Sequence, residues 1–323
     1  MKKRFLTVAP LLALCLSSCA TNVHHNVGEY LVKSIEHTGD FNILQLTDTH
    51  LGDKDDLDVQ FKFLDYLIKD AGNDIDLIVI TGDLFSFTSK SNAKKFFTFL
   101  DGHDTPWTVV FGNHDEQCDF NIDWLTSELN TKYKNCLFKD IQDDDVQGNC
   151  NFYVNITHSG TIYEQLIFMD SNRYDYSGFK GYDYFHQDQI DWYSSVIDSA
   201  PADAKSLMFY HIPLPEVNDA WEKGTKLDTE GVKREPSCPP NKNTGFFKVI
   251  KEKGSTQGMF FGHDHINDFA VKYEGVVFSY GVKSTDRVYY DEDMLGYQVI
   301  TLHDDIEHTF DIQRSFHTYA EVE

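Results

Sequence analysis

Leu77-Ile78-Val79-Ile80-Thr81-Gly82-Asp83 is an apolar run that stops on a glycine and a carboxylate. A short apolar run closed by a turn residue reads as a strand buried on both faces. The glycine lets the chain turn sharply, so Asp83 is delivered at the strand's carboxyl end. The same grammar recurs on either side. Phe41 to Leu46 runs into Asp48-Thr49-His50, and Trp107 to Phe111 runs into Gly112-Asn113-His114-Asp115. Between these strands, Leu57 to Asp70 sets Leu57, Phe61, Leu64, Leu67 and Ile68 at helical spacing, and Ala93 to Leu100 reads as a second helix. Strands alternating with helices predict an α/β domain with a largely parallel sheet. In such sheets ligands bind beyond the carboxyl ends of the strands, where each of these clusters falls.

The second half is mixed. Phe152 to Ile156 and Ile162 to Met169 read as successive strands, and Gln187 to Ser199 as a helix before Pro201. Leu207 to Tyr210 is a strand that delivers His211, and Met259 to Phe261 one that delivers Gly262-His263-Asp264-His265. Val271 to Tyr273, Val276 to Tyr280, Tyr297 to Leu302 and Thr309 to Gln313 continue as β. The polar stretch 216–243, rich in Pro, Gly and charge, reads as a rim over the site, because loops of that length are functional or disordered.

The clusters together offer Asp48, His50, Asp83, Asn113, His211, His263 and His265, seven oxygen and nitrogen donors with no cysteine among them. Two hard or borderline cations need about that many when water and substrate complete the shells. Asp48 and His50 stand two apart on an extended chain and so share a side. Asp83 has two carboxylate oxygens and can bridge two ions. His263 and His265, also two apart, reach two neighbouring ions or one ion together. Each piece alone is weak: a lone Gly-Asp is usually a turn, and a histidine such as His211 is usually packed or solvated. The joint order of the clusters carries the reading.

These motifs resemble the full set of the calcineurin-like metallophosphoesterases over about residues 41–280. The resemblance implies a four-layer α/β/β/α sandwich, two mixed β-sheets flanked by helices. It also implies Asp48, His50, Asp83 and His265 on one metal, and Asp83, Asn113, His211 and His263 on a second. His114 would stand near the scissile phosphate as general acid or charge stabiliser, oriented by Asp115. The cofactor implied is a pair of ions such as Fe, Mn or Zn. Protein phosphatases of this superfamily carry Gly-Asp-x-x-Asp-Arg-Gly and Gly-Asn-His-Glu, which Ser86 and Asp115 argue against. Ser86 also stands where purple acid phosphatases carry a ligating tyrosine. His211-Ile212-Pro213-Leu214-Pro215-Glu216 and the cluster at 262–269 are most similar to purple-acid-phosphatase-related phosphatases that lack that tyrosine. Leu46-Thr47-Asp48-Thr49-His50-Leu51 also resembles class III cyclic-nucleotide phosphodiesterases.

The expected reaction is hydrolysis of phosphate monoesters by a metal-bridging hydroxide, formed as the cations bring the pKa of water towards ~7. Small diesters or cyclic nucleotides are the alternative substrates. A metal- or ligand-binding surface protein without turnover forecasts a missing donor or a replaced His114, and neither occurs. Tyr174, Tyr176, Phe179, Tyr182 and Trp221 are candidates to stack on an aryl group or base, and Arg173 to meet phosphate. Ordinary packing and a turn are the competing readings.

At the amino end, Lys2, Lys3 and Arg4 precede an apolar stretch from Phe5 to Leu16, too short to span a bilayer and suited to a secretory signal. Leu16-Ser17-Ser18-Cys19 resembles the lipobox of bacterial lipoproteins, with Cys19 the lipidated residue. The expected organisation is a signal peptide 1–18, a linker 19–40, a catalytic domain 41–315 and a tail 316–323. Ala20, by resemblance to Gram-negative lipoproteins, favours the outer membrane, facing the periplasm or cell surface. The chain has 52 Asp and Glu against 28 Lys and Arg, a formal charge of −24. No basic stripe is visible, which argues against nucleic acid as partner. A small phosphate ester drawn in by cations remains compatible. Beyond Cys15 and Cys19 there are Cys118, Cys136, Cys150 and Cys238, whose four thiols allow three pairings in an exported compartment. The expected pairs are Cys136–Cys150, closing an acidic loop, and Cys118–Cys238.

Overall fold

Neighbouring residues of the central strands enter two different cores, and that alternation builds the layers. The computed structural model describes residues 26–176, 178, 180–227, 231–305 and 307–322. The signal-peptide residues, Cys19 and Phe179 lie outside them. In chain order the first elements are β1 (Leu31–Glu36), β2 (Phe41–Leu46), α1 (Leu57–Asp70), β3 (Leu77–Thr81), α2 (Lys90–Asp101), β4 (Trp107–Val110) and α3 (Ile122–Thr131). Next come β5 (Phe152–His158), β6 (Thr161–Phe168), β7 (Tyr174–Asp175), β8 (Gly181–Tyr182), α4 (Gln187–Asp198), β9 (Lys205–Phe209), α5 (Val217–Lys223) and β10 (Thr225–Lys226). The last are α6 (Phe246–Lys253), β11 (Thr256–Phe261), β12 (Ala270–Tyr273), β13 (Val276–Tyr280), β14 (Gly296–Leu302) and β15 (Phe310–Phe316).

One mixed sheet runs β15-β14-β2-β3-β4, and the other runs β1-β5-β6-β9-β11-β13-β12-β10. In the larger sheet Val154, Leu166, Phe168, Leu207, Phe209 and Phe260 face the smaller sheet, in one core with Ile43, Leu77 and Ile80. Their neighbours Tyr153, Ile167, Met208, Met259 and Phe261 point the other way, onto Trp192 and Tyr193 of α4 and Phe246 and Ile250 of α6. Side chains alternate across a strand, so burial on both faces demands the uninterrupted apolar runs seen in the sequence. Phe63, Leu64 and Leu67 of α1 and Phe96 and Phe97 of α2 join the first core. Asp56 caps α1 by accepting from the Asp58 and Val59 amides. The result is the expected sandwich, two mixed sheets with helices outside.

Three expectations change. The segment 19–40 is not all linker: β1 lies within it and pairs in parallel with β5. Its burial is that of a half-exposed edge strand, so backbone pairing rather than an apolar pattern holds it. The expected tail is anchored at Tyr319, which stacks on Phe63 at 4.1 Å and donates to Gln60 Oε1 at 2.6 Å. Cys118, Cys136, Cys150 and Cys238 are free thiols rather than the pairs Cys136–Cys150 and Cys118–Cys238. Cys136 bridges to Trp107 at the start of β4, whereas Cys150 Sγ accepts from the Phe111 amide beyond its end. Four residues of strand put about 13 Å between those places, outside disulfide reach. Cys118 lies by Phe87 and Thr88, while Cys238 lies by Asp264.

Candidate metal centre

Both sheets aim strand ends at one edge. From the smaller sheet, β2 leads to Asp48 and His50, β3 to Asp83 and β4 to Asn113 and His114. From the larger sheet, β9 leads to His211 and β11 to His263 and His265. Four of these residues are left-handed: Asp48 at φ 53°, His50 at 45°, Asp83 at 50° and His263 at 83°. Such non-glycine residues cost about 1–3 kcal/mol each and persist where their surroundings hold them. Here the hold is visible. Lys283 Nζ donates to the Asp48 carbonyl at 2.8 Å, the Thr47 amide donates to Ser284 Oγ at 3.0 Å, and Thr285 Oγ1 donates to the Thr49 carbonyl at 2.8 Å. Close approach also explains two glycines. A Cβ on Gly112 would sit 2.2 Å from Asp83 Oδ1, and one on Gly262 would sit 2.1 Å from Thr47 Oγ1.

The buried donors gather into two groups that share a residue: Asp48, His50, Asp83 and His265, and Asp83, His211 and His263, with ligand atoms within 4.8 Å of one another in each. His50 Nε2 lies 3.4 Å from Asp83 Oδ2, His265 Nε2 lies 3.4 Å from Asp48 Oδ1, and His211 Nε2 lies 3.2 Å from Asp83 Oδ2. Asn113, the remaining donor, holds its Nδ2 on Tyr174 Oη at 3.1 Å, while its Oδ1 is buried without a partner. His211 Nε2 and both His263 nitrogens are also buried without a hydrogen-bond partner. Buried polar atoms are rarely left so.

The outer nitrogens show which atoms face inward. His265 Nδ1 meets the Tyr289 carbonyl at 2.7 Å and His211 Nδ1 meets the Thr81 carbonyl at 2.8 Å. A carbonyl only accepts, so each Nδ1 carries a proton and each Nε2 is the atom that faces the centre, free to offer a lone pair once a cation displaces any proton there. His50 Nδ1 pairs with Ser86 Oγ at 2.8 Å, and His50 Nε2 faces His265 Nε2 at 2.9 Å. Convergent imidazole nitrogens and buried carboxylates fit a metal pair, and the oxygen and imidazole donor set suits borderline divalent or trivalent ions.

The electrostatics agree. Burial pushes the His50 imidazole well below its usual range and, with the His211 charge, takes His263 down to about 3. Burial opposes charge on His211 too, but Asp83 facing it wins and raises it to about 10. Asp83 itself is held well below the usual carboxylate range, burial being outweighed by His211 and His50. Asp83, the carboxylate common to both groups, stays ionised and calls for positive charge beside it.

His114 is placed next to this centre, its ring 5.0 Å from that of His50 and its amide donating to Asp83 Oδ1 at 2.8 Å. Asp115 does not orient it. Asp115 turns inward, where Oδ1 accepts from the Phe85 amide at 3.0 Å and Oδ2 from the Gly112 amide at 2.8 Å. Burial and the Asp83 charge push the Asp115 carboxyl up to about 8. The residue that meets His114 is Gln117, whose Oε1 lies 2.8 Å from His114 Nδ1. The turn that brings it there, Gln117 N to His114 O at 2.8 Å, is the local signal that could have found it. Lys283 carried no such signal, since a lysine after an apolar run ordinarily reads as a solvated turn.

Among the rim candidates, Tyr174 stacks on Tyr182 at 5.4 Å and Tyr182 sets its ring against His263 at 4.3 Å. Tyr176 is exposed. Trp221 instead packs on Phe269. Arg173 pairs with Glu116, and both line a cavity of about 440 Å³ that Asn113 and Gln117 also line. A second cavity of about 440 Å³ opens on the other side, with His50 and Ser86 in its lining. From the polar stretch 216–243, the Cys238 amide donates to Asp264 Oδ2 and the Arg234 amide to Asn267 Oδ1, beside the turn bearing His263 and His265.

Two sheets whose strand ends pool carboxylates and imidazoles around one shared aspartate define a metallophosphoesterase. The chain belongs to the calcineurin-like phosphoesterase family, whose profile matches residues 41–267. It is similar to probable inactive purple acid phosphatase 29 of Arabidopsis thaliana, 27% identical over 84% of this chain and 77% of that one. It is also similar to phosphatase DCR2 of Saccharomyces cerevisiae, 28% identical over 52% of this chain and 31% of that one. A dimetal phosphatase from Danio rerio shares the fold, with a TM-score of 0.55 at 13% identity over 87% of this chain and all of that one.

Proposed function

We propose that this protein is a binuclear-metal phosphoric ester hydrolase, exported and tethered to a membrane by a lipid on Cys19. The observation that carries the hydrolase reading is the pair of buried donor groups sharing Asp83, with Asn113 Oδ1 and both His263 nitrogens lacking a hydrogen-bond partner. Asp48, His50, Asp83 and His265 would hold one ion, and Asp83, Asn113, His211 and His263 the other. A metal pair there supplies water activated near neutral pH and neutralises charge on the phosphoryl oxygens. The chain's own contribution is orientation: Tyr289, Thr81 and Ser86 fix three imidazoles, and Tyr174 turns the Asn113 oxygen inward. His114, half-buried and held at Nδ1 by Gln117, would give a proton from Nε2 to the departing oxygen when its ring is doubly protonated.

Phosphate monoesters are the first substrate reading. The cavities on both sides of the centre favour a second, a diester with a substituent in each. The acidic chain supports a small ester rather than a nucleic acid as substrate. The decisive experiment assays p-nitrophenyl phosphate and its bis-diester with metal-free protein, with protein reloaded singly with Mn, Fe or Zn, and with Asp83→Ala. Turnover should require metal and vanish in the variant; activity surviving both treatments rejects the centre. The anchor reading rests on the Leu16-Ser17-Ser18-Cys19 stretch. Cys19→Ser should move the protein from the membrane to the soluble fraction, and unchanged fractionation rejects it.

A further inference from the structure

We propose that the cavity beside His50 receives a flat apolar group on the substrate's alcohol, gripped between Phe87 and Val288. The proposal rests on the phosphoesterase reading and adds the substrate class. Phe87 is 71% exposed and Val288 60% exposed, and both line this cavity of about 440 Å³ with His50 and Ser86. That volume falls within the ordinary range of small-molecule sites, roughly 300–1,000 Å³. Both side chains also stand on left-handed backbone, Phe87 at φ 54° and Val288 at φ 66°. A β-branched residue there is a genuine outlier. Burial does not account for either apolar side chain, since both face solvent. Their exposure is accounted for when a ligand covers them.

The two residues are wired to the metal centre by their neighbours. Ser86, before Phe87, holds His50 Nδ1 at 2.8 Å. Tyr289, after Val288, accepts from His265 Nδ1 at 2.7 Å and stacks on the His265 ring at 4.1 Å. A group between Phe87 and Val288 is therefore next to the donors that would hold the phosphate. Four of the five charged side chains of the wall, all but Lys54, have partners. Asp53 Oδ1 accepts from the Ser89 amide at 2.7 Å and Asn92 Nδ2 at 2.9 Å. Arg287 is shared between Asp55, at 2.9 Å, and Asp286. With those partners satisfied, the cavity offers its apolar walls, and an aryl group is the shape that fits between a ring and an isopropyl face. The opposite cavity, with Arg173, Glu116 and Asp183, is polar in character.

Non-hydrolysable phosphonates test this without relying on turnover. Manganese-loaded protein is titrated calorimetrically with 2-phenylethylphosphonate and with propylphosphonate. Burial of one ring face should make the aryl ligand about tenfold tighter, roughly 1.4 kcal/mol. Phe87→Asn and Val288→Asn keep a residue that tolerates left-handed backbone and should each cut that ratio to about threefold or less. Phe87→Tyr retains the ring and should preserve it. Equal affinity for the two ligands, no binding of either, or a ratio unchanged in both asparagine variants overturns the proposal. Failure to turn over p-nitrophenyl phosphate while the aryl preference holds would reject the hydrolase reading alone.

Discussion

Lys283 Nζ donates to the main-chain carbonyl of Asp48 at 2.8 Å, with both residues buried. A cation thus lies under the candidate metal centre, between β13 and β14, on the segment that also clamps Thr47 and Thr49. Burial drives the Lys283 ammonium down to about 8, and the Asp48 and Asp83 charges keep it from falling further. In metal-free protein Lys283 is a counter-charge to two buried carboxylates. With metal bound, that compensation comes from the ions. Lys283→Met should therefore cost about 3 kcal/mol in denaturant unfolding of metal-free protein and clearly less in metal-loaded protein. Equal losses in the two forms would mean that Lys283 acts only as a backbone strap.

His114 and Gln117 should separate in kinetics. His114→Ala should keep its metal, measured by elemental analysis, and lose about 10²–10⁴ in kcat. Gln117→Leu removes only the partner that sets the ring, so a smaller loss is expected, with a displaced pH–rate profile. Loss of metal in His114→Ala would place that imidazole among the ligands instead.

Asp115 answers to a different measurement. Its carboxyl holds the amides of Phe85 and Gly112, which flank the turns bearing Asp83 and Asn113. Asp115→Ala leaves two buried N–H groups unpaired, about 1–3 kcal/mol each. Lower thermal stability and weaker metal retention are expected together, in contrast with His114→Ala. A variant of native stability that loses only turnover would restore Asp115 to a direct role beside His114.

That contrast shows where sequence reading stops. β2, β3, β4, β9 and β11 were legible because burial on both faces forces unbroken apolar runs, and each run closes near a cluster that carries donors. The donor set was legible because composition and order need no geometry. Pairing was not: β14 joins β2 through Gln298 and Gln45, far apart in the chain, with nothing local to announce it. Asp115 follows His114 in sequence, yet its direction is set by amides on two other turns. The edge strand β1 lacks the apolar alternation that would mark it, whereas α3 carried signals of its own, an Asn121 cap and buried Leu125 and Leu129 at helical spacing.

The thiols at 118, 136, 150 and 238 give a covalent check. Cys150 is buried against the Phe111 amide, and burial raises the thiols of Cys118 and Cys238 to about 12 and about 11. Thiolate is the reactive form, so these groups are inert in the fold. Alkylation after denaturation without reductant should label all four, and the melting temperature should not respond to dithiothreitol. A mass two labels short would restore one of the expected disulfides.

Glu164 offers a test of stability against pH. It lies in β6 opposite Lys205, wholly buried, and neither carboxyl oxygen has a hydrogen-bond partner. Burial holds its pKa well above the usual glutamate value, with Lys205 opposing. The folded state therefore keeps a proton that the unfolded chain gives up near pH 4.3. Below that pH both states are protonated and Glu164 costs nothing by linkage. Above it the folded state binds more protons than the unfolded one, so this residue makes stability fall as pH rises towards the folded pKa. Glu164→Gln removes the titration while keeping the shape. Its unfolding free energy should match the native protein near pH 4 and exceed it at pH 7. A variant less stable than the native protein at pH 7 would show that the carboxylate is ionised and paired across the strands with Lys205.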